Sequence, residues 1–428
     1  MLPSSRTPVS LFLALSLALP VGRGPAPRHS ATAHPPRGAP TKTVSVGISP
    51  IALATSGATG HVFVLNAGPR RGVYRAFVGP GSVTMLDAAT GAVLRTTPIG
   101  IFPLRLAVDD RAGCVIVVTE GAVDANNNTV GTGTIYLLDT ATGRLRRTIA
   151  VGRNPGPPIV DYSSGRVYLT DNARLRALDP TTGRLTASIP LSLASILALD
   201  EPTHHLFLDT GPACTLRNDF NCGVTLVDTR TFRLVRTTVL PYPSQGGGVD
   251  DAPTGRVVLP VGFVRMGGYV ALLDARMGAL VHTDLLPSGH YNAIATDPRG
   301  GRAFVVSQGT TYNPDVTKVA LLDTRSGRLT PLATQPLASV SMDASASAPL
   351  VDIARDRLLV ATVESDRSGQ PHPGVIYALN GRTGATVVHV TVGRSLSIPA
   401  MTIAGPQGLV FVTNDVDNTV SILDPATW

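Results

Sequence analysis

One six-residue phrase recurs along this chain and constrains its fold more than any other feature. It reads LDAATG at 86, LDTATG at 138, LDPTTG at 178, VDTRTF at 227, LDARMG at 273, LDTRSG at 322, LNGRTG at 379 and LDPATW at 423. Eight copies at a mean spacing of about 48 residues set one supersecondary unit per copy. Each phrase is a hairpin turn by its chemistry. The apolar residue ends a strand, the Asp or Asn side chain bonds a backbone N–H two residues on, and the last Gly accepts positive φ. A second turn, Asp followed within a few residues by Gly or a substitute, lies upstream of most copies: DRAG from Asp110, DYSSG from Asp161, DEPTH from Asp200, DAPTG from Asp251 and DPRGG from Asp297.

Between the turns run apolar and β-branched stretches of four to seven residues, which read as strands. The third unit supplies PPIVDY, RVYLT, RLRAL and RLTASIPL; the eighth supplies PAMTIA, LVFVT and TVSIL and lacks a fourth strand. KTVSVG at 42–47 matches the closing VTVG of the seventh unit, so it is expected to supply that missing outer strand. Four-stranded units at this period imply an all-β chain folded as one β-propeller over residues 41–428, with eight blades and the ring closed by an N-terminal strand. Closure removes the exposed edge between the first and last units.

The units resemble the YVTN repeat of bacterial secreted and surface proteins, including the YncE-like group. TVSVGISPIALATSGATGHVFVLNA, RVYLTDN, LVFVTND, NTVSILDPATW and TIAVGRNP carry the resemblance, which spans residues 42–428. Many members of that family have seven blades, so seven is the alternative count. A single Trp, at the C-terminus, cannot supply the Trp-Asp signature of WD40 blades.

Composition bears on destination and partners. Arg6 precedes an uncharged apolar run, VSLFLALSLALPVG, too short to span a bilayer comfortably, so the start reads as a signal peptide, with an uncleaved anchor as the rival. Residues 23–40 read as a disordered leader, giving a boundary near residue 40. The mature chain is expected to be exported to the cell surface, periplasm or medium, with no transmembrane span, and to be a monomer. Five of the seven net positive charges sit in the first 42 residues. The nearly neutral body is therefore not expected to bind nucleic acid.

Three cysteines raise separate questions. Cys114 opens the apolar strand CVIVV and is expected to be a small buried hydrophobe. Cys214 and Cys222 bracket the loop CTLRNDFNC, and export would permit a disulfide between them.

Strand order sorts the connections to two ends of the ring. Turns a–b and c–d share one end and are short; b–c and d–a connections share the other. The b–c segments 67–81, 120–133, 210–223, 262–268, 308–317 and 364–374 read as long, which makes that end the expected working face. At the channel mouth the d–a connections place Arg153, Asn154, Gln245, His290, Tyr291, Asn292 and Arg394, a set suited to a polar or anionic ligand. Asp124, Asn126 and Asn128, spaced by two, resemble part of a calcium loop but lack its later Glu. Asp415 and Asp417 raise the same question. No cofactor is expected, with calcium at these loops the alternative to a solvated polar loop. Asn66, Asp171 and Asn414, ending strand b in three units, are expected to serve blade packing.

No HExxH, GxSxG, Walker A, GxGxxG or CxxC motif occurs. The leading expectation is an exported, non-catalytic propeller that binds a protein, glycan or anionic small molecule through its b–c loop face. The alternative is a lactonase-like hydrolase or lyase with its site at the channel mouth.

Overall fold

The structure is a computed structural model. It describes residues 37–70, 79–121, 131–191, 194–210, 222–244, 247–263, 267–286, 290–308, 318–332, 349–363, 370–396 and 399–428. Among these, eight antiparallel four-stranded blades follow one another along the chain, each in the order a-b-c-d, and the sheet of blade 7 carries a fifth, parallel strand. Blades 1 to 7 span 50–101, 103–150, 159–190, 195–240, 249–285, 290–331 and 350–395. Blade 8 takes strands a to c from Met401–Ala404, Leu409–Asn414 and Thr419–Leu423, and strand d from Lys42–Ser45. Lys42 pairs with Ile422 and Ser45 with Thr419. The eight-blade reading and closure by the N-terminal strand both hold.

The first strand of each blade touches the first strand of the next all the way round, so strands a are innermost and their free edges face the centre. Burial follows from this geometry. Strand b of blade 2, Cys114–Thr119, is buried at every position because blades press on both of its faces, whereas strand d, Leu145–Ala150, is exposed on the rim. The core is correspondingly divided. Eight hydrophobic clusters occupy the eight blade interfaces, one each, and Val44 and Val46 of the closing segment join the one between blades 8 and 1. Each interface buries its own apolar set, as expected of a repeat protein whose blades contact only their neighbours.

The repeated phrase behaves as its chemistry requires. The carboxylate of Asp87 accepts from the Ala89 and Thr90 amides, and the same pair of bonds recurs at Asp139, Asp179, Asp228, Asp274, Asp323 and, through its amide oxygen, Asn380. Blade 4 puts Phe232 where the copies of blades 1 to 3 and 5 to 7 have Gly. Phe232 adopts φ 53° and stacks on Tyr168 of blade 3, with ring centroids 6.1 Å apart, so an inter-blade contact offsets the strained backbone.

Three features differ from the sequence expectation. Strands b and c of blade 5 run on to Phe263 and Gly267, so 262–268 is a tight hairpin and not a long insertion. The connection from blade 6 to blade 7, between Pro331 and Leu350, is longer than any b–c segment and carries no repeat phrase to reveal it. Arg37–Gly38, within the segment expected to be leader, pairs in parallel with His389 and Val390 on the outer strand of blade 7.

Candidate functional site

The two ends of the ring use their polar groups differently. At the a–b/c–d end, blades are tied to one another by side chains. Arg111 Nη1 donates to the Tyr162 carbonyl at 3.1 Å, and Arg299 and Arg302 both donate to Asp356 at 2.8 Å. Those two guanidiniums, Arg302 first, hold the Asp356 carboxyl well below the usual range, at about 2. His61 Nδ1 and His205 Nδ1 each reach a carbonyl of the next blade, Thr140 at 2.8 Å and Ala275 at 3.1 Å. His205 is thus a joint between blades. A polar cleft of about 390 Å³ lies at this end between blades 2 and 3, lined by Asp109, Arg111, Arg166 and Asp179 among others.

At the b–c/d–a end the expected mouth residues separate. Arg153 is exposed in the connection between blades 2 and 3 and joins no ion pair among the described residues; its carbonyl accepts from Asn172 N–H. Asn154 beside it takes φ 47°, a conformation its short polar side chain tolerates. Arg394 is engaged, with its Nη2 2.8 Å from Asp417 and its backbone N–H donating to the same carboxylate. Asp415 pairs with Arg70 at 2.8 Å and accepts from Leu396 N–H. Both acids of that turn therefore join blades rather than stand ready for a cation. His290, Tyr291 and Asn292 open strand a of blade 6, where only their backbone is described. Gln245, the loop Asp124, Asn126 and Asn128, and Cys214 lie outside the described residues; Cys222 is described only as the first residue of its strand. The proposed disulfide and calcium loop therefore both fall outside them. Cys114 is free and buried, and burial pushes its thiol up to about 12, which suits an inert core position.

The polar residues ending strand b have a packing explanation. Asn414 Nδ2 donates to Thr419 Oγ1 and Ser421 Oγ, each at 2.9 Å, and Asn66 Nδ2 to Thr84 Oγ1 at 3.0 Å. A Cβ added at Gly393 would stand 2.6 Å from Asn414, at Gly47 2.7 Å from Asn66, and at Gly152 2.4 Å from Asp171. The Gly closing one unit and the polar residue closing the next strand b are therefore one device, since only glycine leaves room for that side chain.

Two charged residues on the innermost strands escaped the motif search. Register aligns Arg105 with Ala52 of blade 1: Pro103 pairs with Thr119 and Arg105 with Val118, as Pro50 pairs with Asn66 and Ala52 with Leu65. Arg105 donates Nη1 to the Leu104 carbonyl at 3.0 Å. Solvent reaches the side chain, yet desolvation by the surrounding protein lowers its pKa and no neighbouring charge contributes. Asp250 is the other. It precedes the buried Asp251 in strand a of blade 5, where blades 2, 3 and 4 carry Val108, Val160 and Leu199. Burial, then the facing Asp200 carboxyl of blade 4, pushes Asp250 up to about 8, and one oxygen of each acid is buried without a hydrogen-bond partner. Among the described residues no group of three or more His, Cys, Asp or Glu could hold a metal ion.

These features define an eight-bladed β-propeller with an arginine on one of its innermost strands. No family model and no curated protein sequence matches the chain. Solved structures do resemble it in fold. The computationally designed Ika8 protein aligns at a TM-score of 0.56 over 89% of this chain and 98% of its own, with 14% identity. Dihydro-heme d1 dehydrogenase NirN in complex with DHE aligns at 0.55 over 82% and 78%, and Kuenenia stuttgartiensis hydrazine synthase at 0.52 over 76% and 96%, both at 14% identity. At that identity the likeness shows the fold alone. Among the described residues no helix is long and apolar enough to cross a membrane.

Proposed function

We propose that this chain is an exported, non-catalytic propeller of the YVTN, YncE-like kind that binds a ligand through its b–c/d–a end. The observation that carries the reading is the contrast between the ends. Turn carboxylates and inter-blade arginines at the a–b/c–d end are engaged in holding the ring, while Arg153 at the other end is exposed and joins no ion pair among the described residues. An unengaged arginine suits a carboxylate or phosphate, so an acidic glycan or an anionic small molecule is the favoured ligand class. Export rests on the charged start and apolar run of residues 6–22, and the family assignment on the repeated phrases.

Retention on immobilised polygalacturonate at low salt tests the face. Arg153→Glu should abolish retention, whereas Arg230→Glu, at an exposed c–d turn of the opposite end, should leave it intact. Equal loss in both would remove the distinction between the ends. Fractionation with N-terminal sequencing tests export, with cleavage expected before residue 37.

A further inference from the structure

We infer that Arg105 anchors a second, inner anion site within the propeller channel, which takes a small molecule bearing one carboxylate or phosphate group. The inference rests on the reading that the b–c/d–a end is the working end, because Arg105 lies two residues from that end of its strand.

The argument begins with what an arginine needs. A guanidinium carries five N–H donors and keeps its charge, so when protein encloses it the charge must be met by a carboxylate, by carbonyls or by something from solution. Arg105 meets a single carbonyl, that of Leu104. Among the described residues it forms no ion pair, and desolvation is the only influence on its ionisation, so no described carboxylate stands near enough to oppose it. Several partly buried arginines of the ring are instead met by carboxylates: Arg176 pairs with Asp171, Arg256 with Asp274 at 2.9 Å, and Arg302 with both Asp297 and Asp356.

The surroundings leave room for a guest. Arg105 stands on an innermost strand whose free edge faces the centre of the ring. The next blade begins its own inner strand late, since Ile159–Asp161 has three residues where blade 2 has seven. At the level of Arg105 that blade therefore offers the connection through 153–158 instead of a strand. Blade 1 offers Ala52 at the equivalent position. A planar fork with unused donors beside a short strand and an alanine fits a compact planar or tetrahedral anion held by paired N–H bonds. A polymer would be held at Arg153 on the rim of the mouth, which is why the inner site is assigned to small molecules.

The experiment titrates the full-length exported protein with galacturonate in one arm and inorganic phosphate in the other, by isothermal calorimetry at low ionic strength. The wild type is expected to bind at least one of them, and the arm that responds names the group. Arg105→Met should weaken that binding at least tenfold, and Arg105→Lys, which keeps the charge but loses the fork, should weaken it less. Melting temperatures without ligand confirm that both variants fold. Arg230→Glu, at an exposed turn of the opposite end, should leave small-anion binding within about threefold. Binding unchanged in Arg105→Met, or no binding of either anion by the wild type, would overturn the inner site. If polygalacturonate retention still requires Arg153 in that event, the working-end assignment stands alone.

Discussion

Arg105 and Asp250 are two answers to one problem. Each is a charged residue on an innermost strand at a position where other blades carry an uncharged side chain, and protein surroundings disfavour the charged form of each. A carboxylate can escape by taking a proton. Asp250 does so, and with its pKa near 8 it shares a blade interface with Asp200 as a neutral acid at physiological pH. An arginine has no such exit, because its pKa stays far above any working pH. The same desolvation therefore leaves Asp250 a neutral feature of the ring and leaves Arg105 charged. Charge placed in a repeat protein reads as a site only when the residue cannot neutralise itself.

The sharpest test of this contrast begins next door. Asp251, adjacent to Asp250, accepts from Gly301 N–H at 3.0 Å, from Thr254 Oγ1 at 2.8 Å and from Thr324 Oγ1, bridging blades 5 and 6. Asp251→Ala should cost about 3 kcal/mol, because it strands donors inside an interface, and urea denaturation would read the loss. Asp250→Asn should act in the opposite sense. A carboxyl whose folded pKa is raised above its unfolded value contributes stability that is present at acid pH and lost as pH rises toward the folded pKa. Wild-type stability should thus fall between about pH 4 and pH 8 through this group, and the Asn variant should fall less. At pH 9 the variant should be the more stable by about 2 kcal/mol after allowing for solvent screening. A variant that tracks the wild type across that window would show that burial and Asp200 do not raise Asp250. The smallest effect belongs to Arg105→Met, which without ligand should change stability by less than about 0.5 kcal/mol. A loss of several kcal/mol would mean that Arg105 is a structural tie like Arg302 and not an empty anchor.

How far these features could be read from the sequence follows from how repetition works. Leu-Asp-x-x-Thr-Gly is a local solution to a local turn, so each copy announces itself, and eight announcements amount to a fold. The closing strand at 42–47 was readable because it repeats the end of blade 7. Arg37–Gly38 was not, since two residues in parallel with His389 and Val390 have no periodicity. The blade 5 hairpin misled because VGFVRMGGYV carries glycines that suggest a loop, yet Phe263 and Gly267 still pair. Arg105 and Asp250 escaped for a deeper reason. Each is a departure from the repeat, and a search tuned to what recurs passes over what does not. Register supplied the missing signal by aligning Arg105 with Ala52.

Closure by the N-terminal strand also sets an order of events in time. Lys42–Ser45 leaves the ribosome before every strand of blades 1 to 7, yet its partner Thr419–Leu423 follows all of them. For the whole interval the segment must remain unpaired, and it carries Lys42 and two hydroxyl residues beside Val44, a composition that discourages pairing with strangers. The blades between can form in sequence from local hairpins, but the interface between blades 8 and 1 waits for both ends of the chain. The clasp is threaded before blades 1 to 7 and fastened after them, so a chain arrested just short of residue 419 holds seven blades and an open seam.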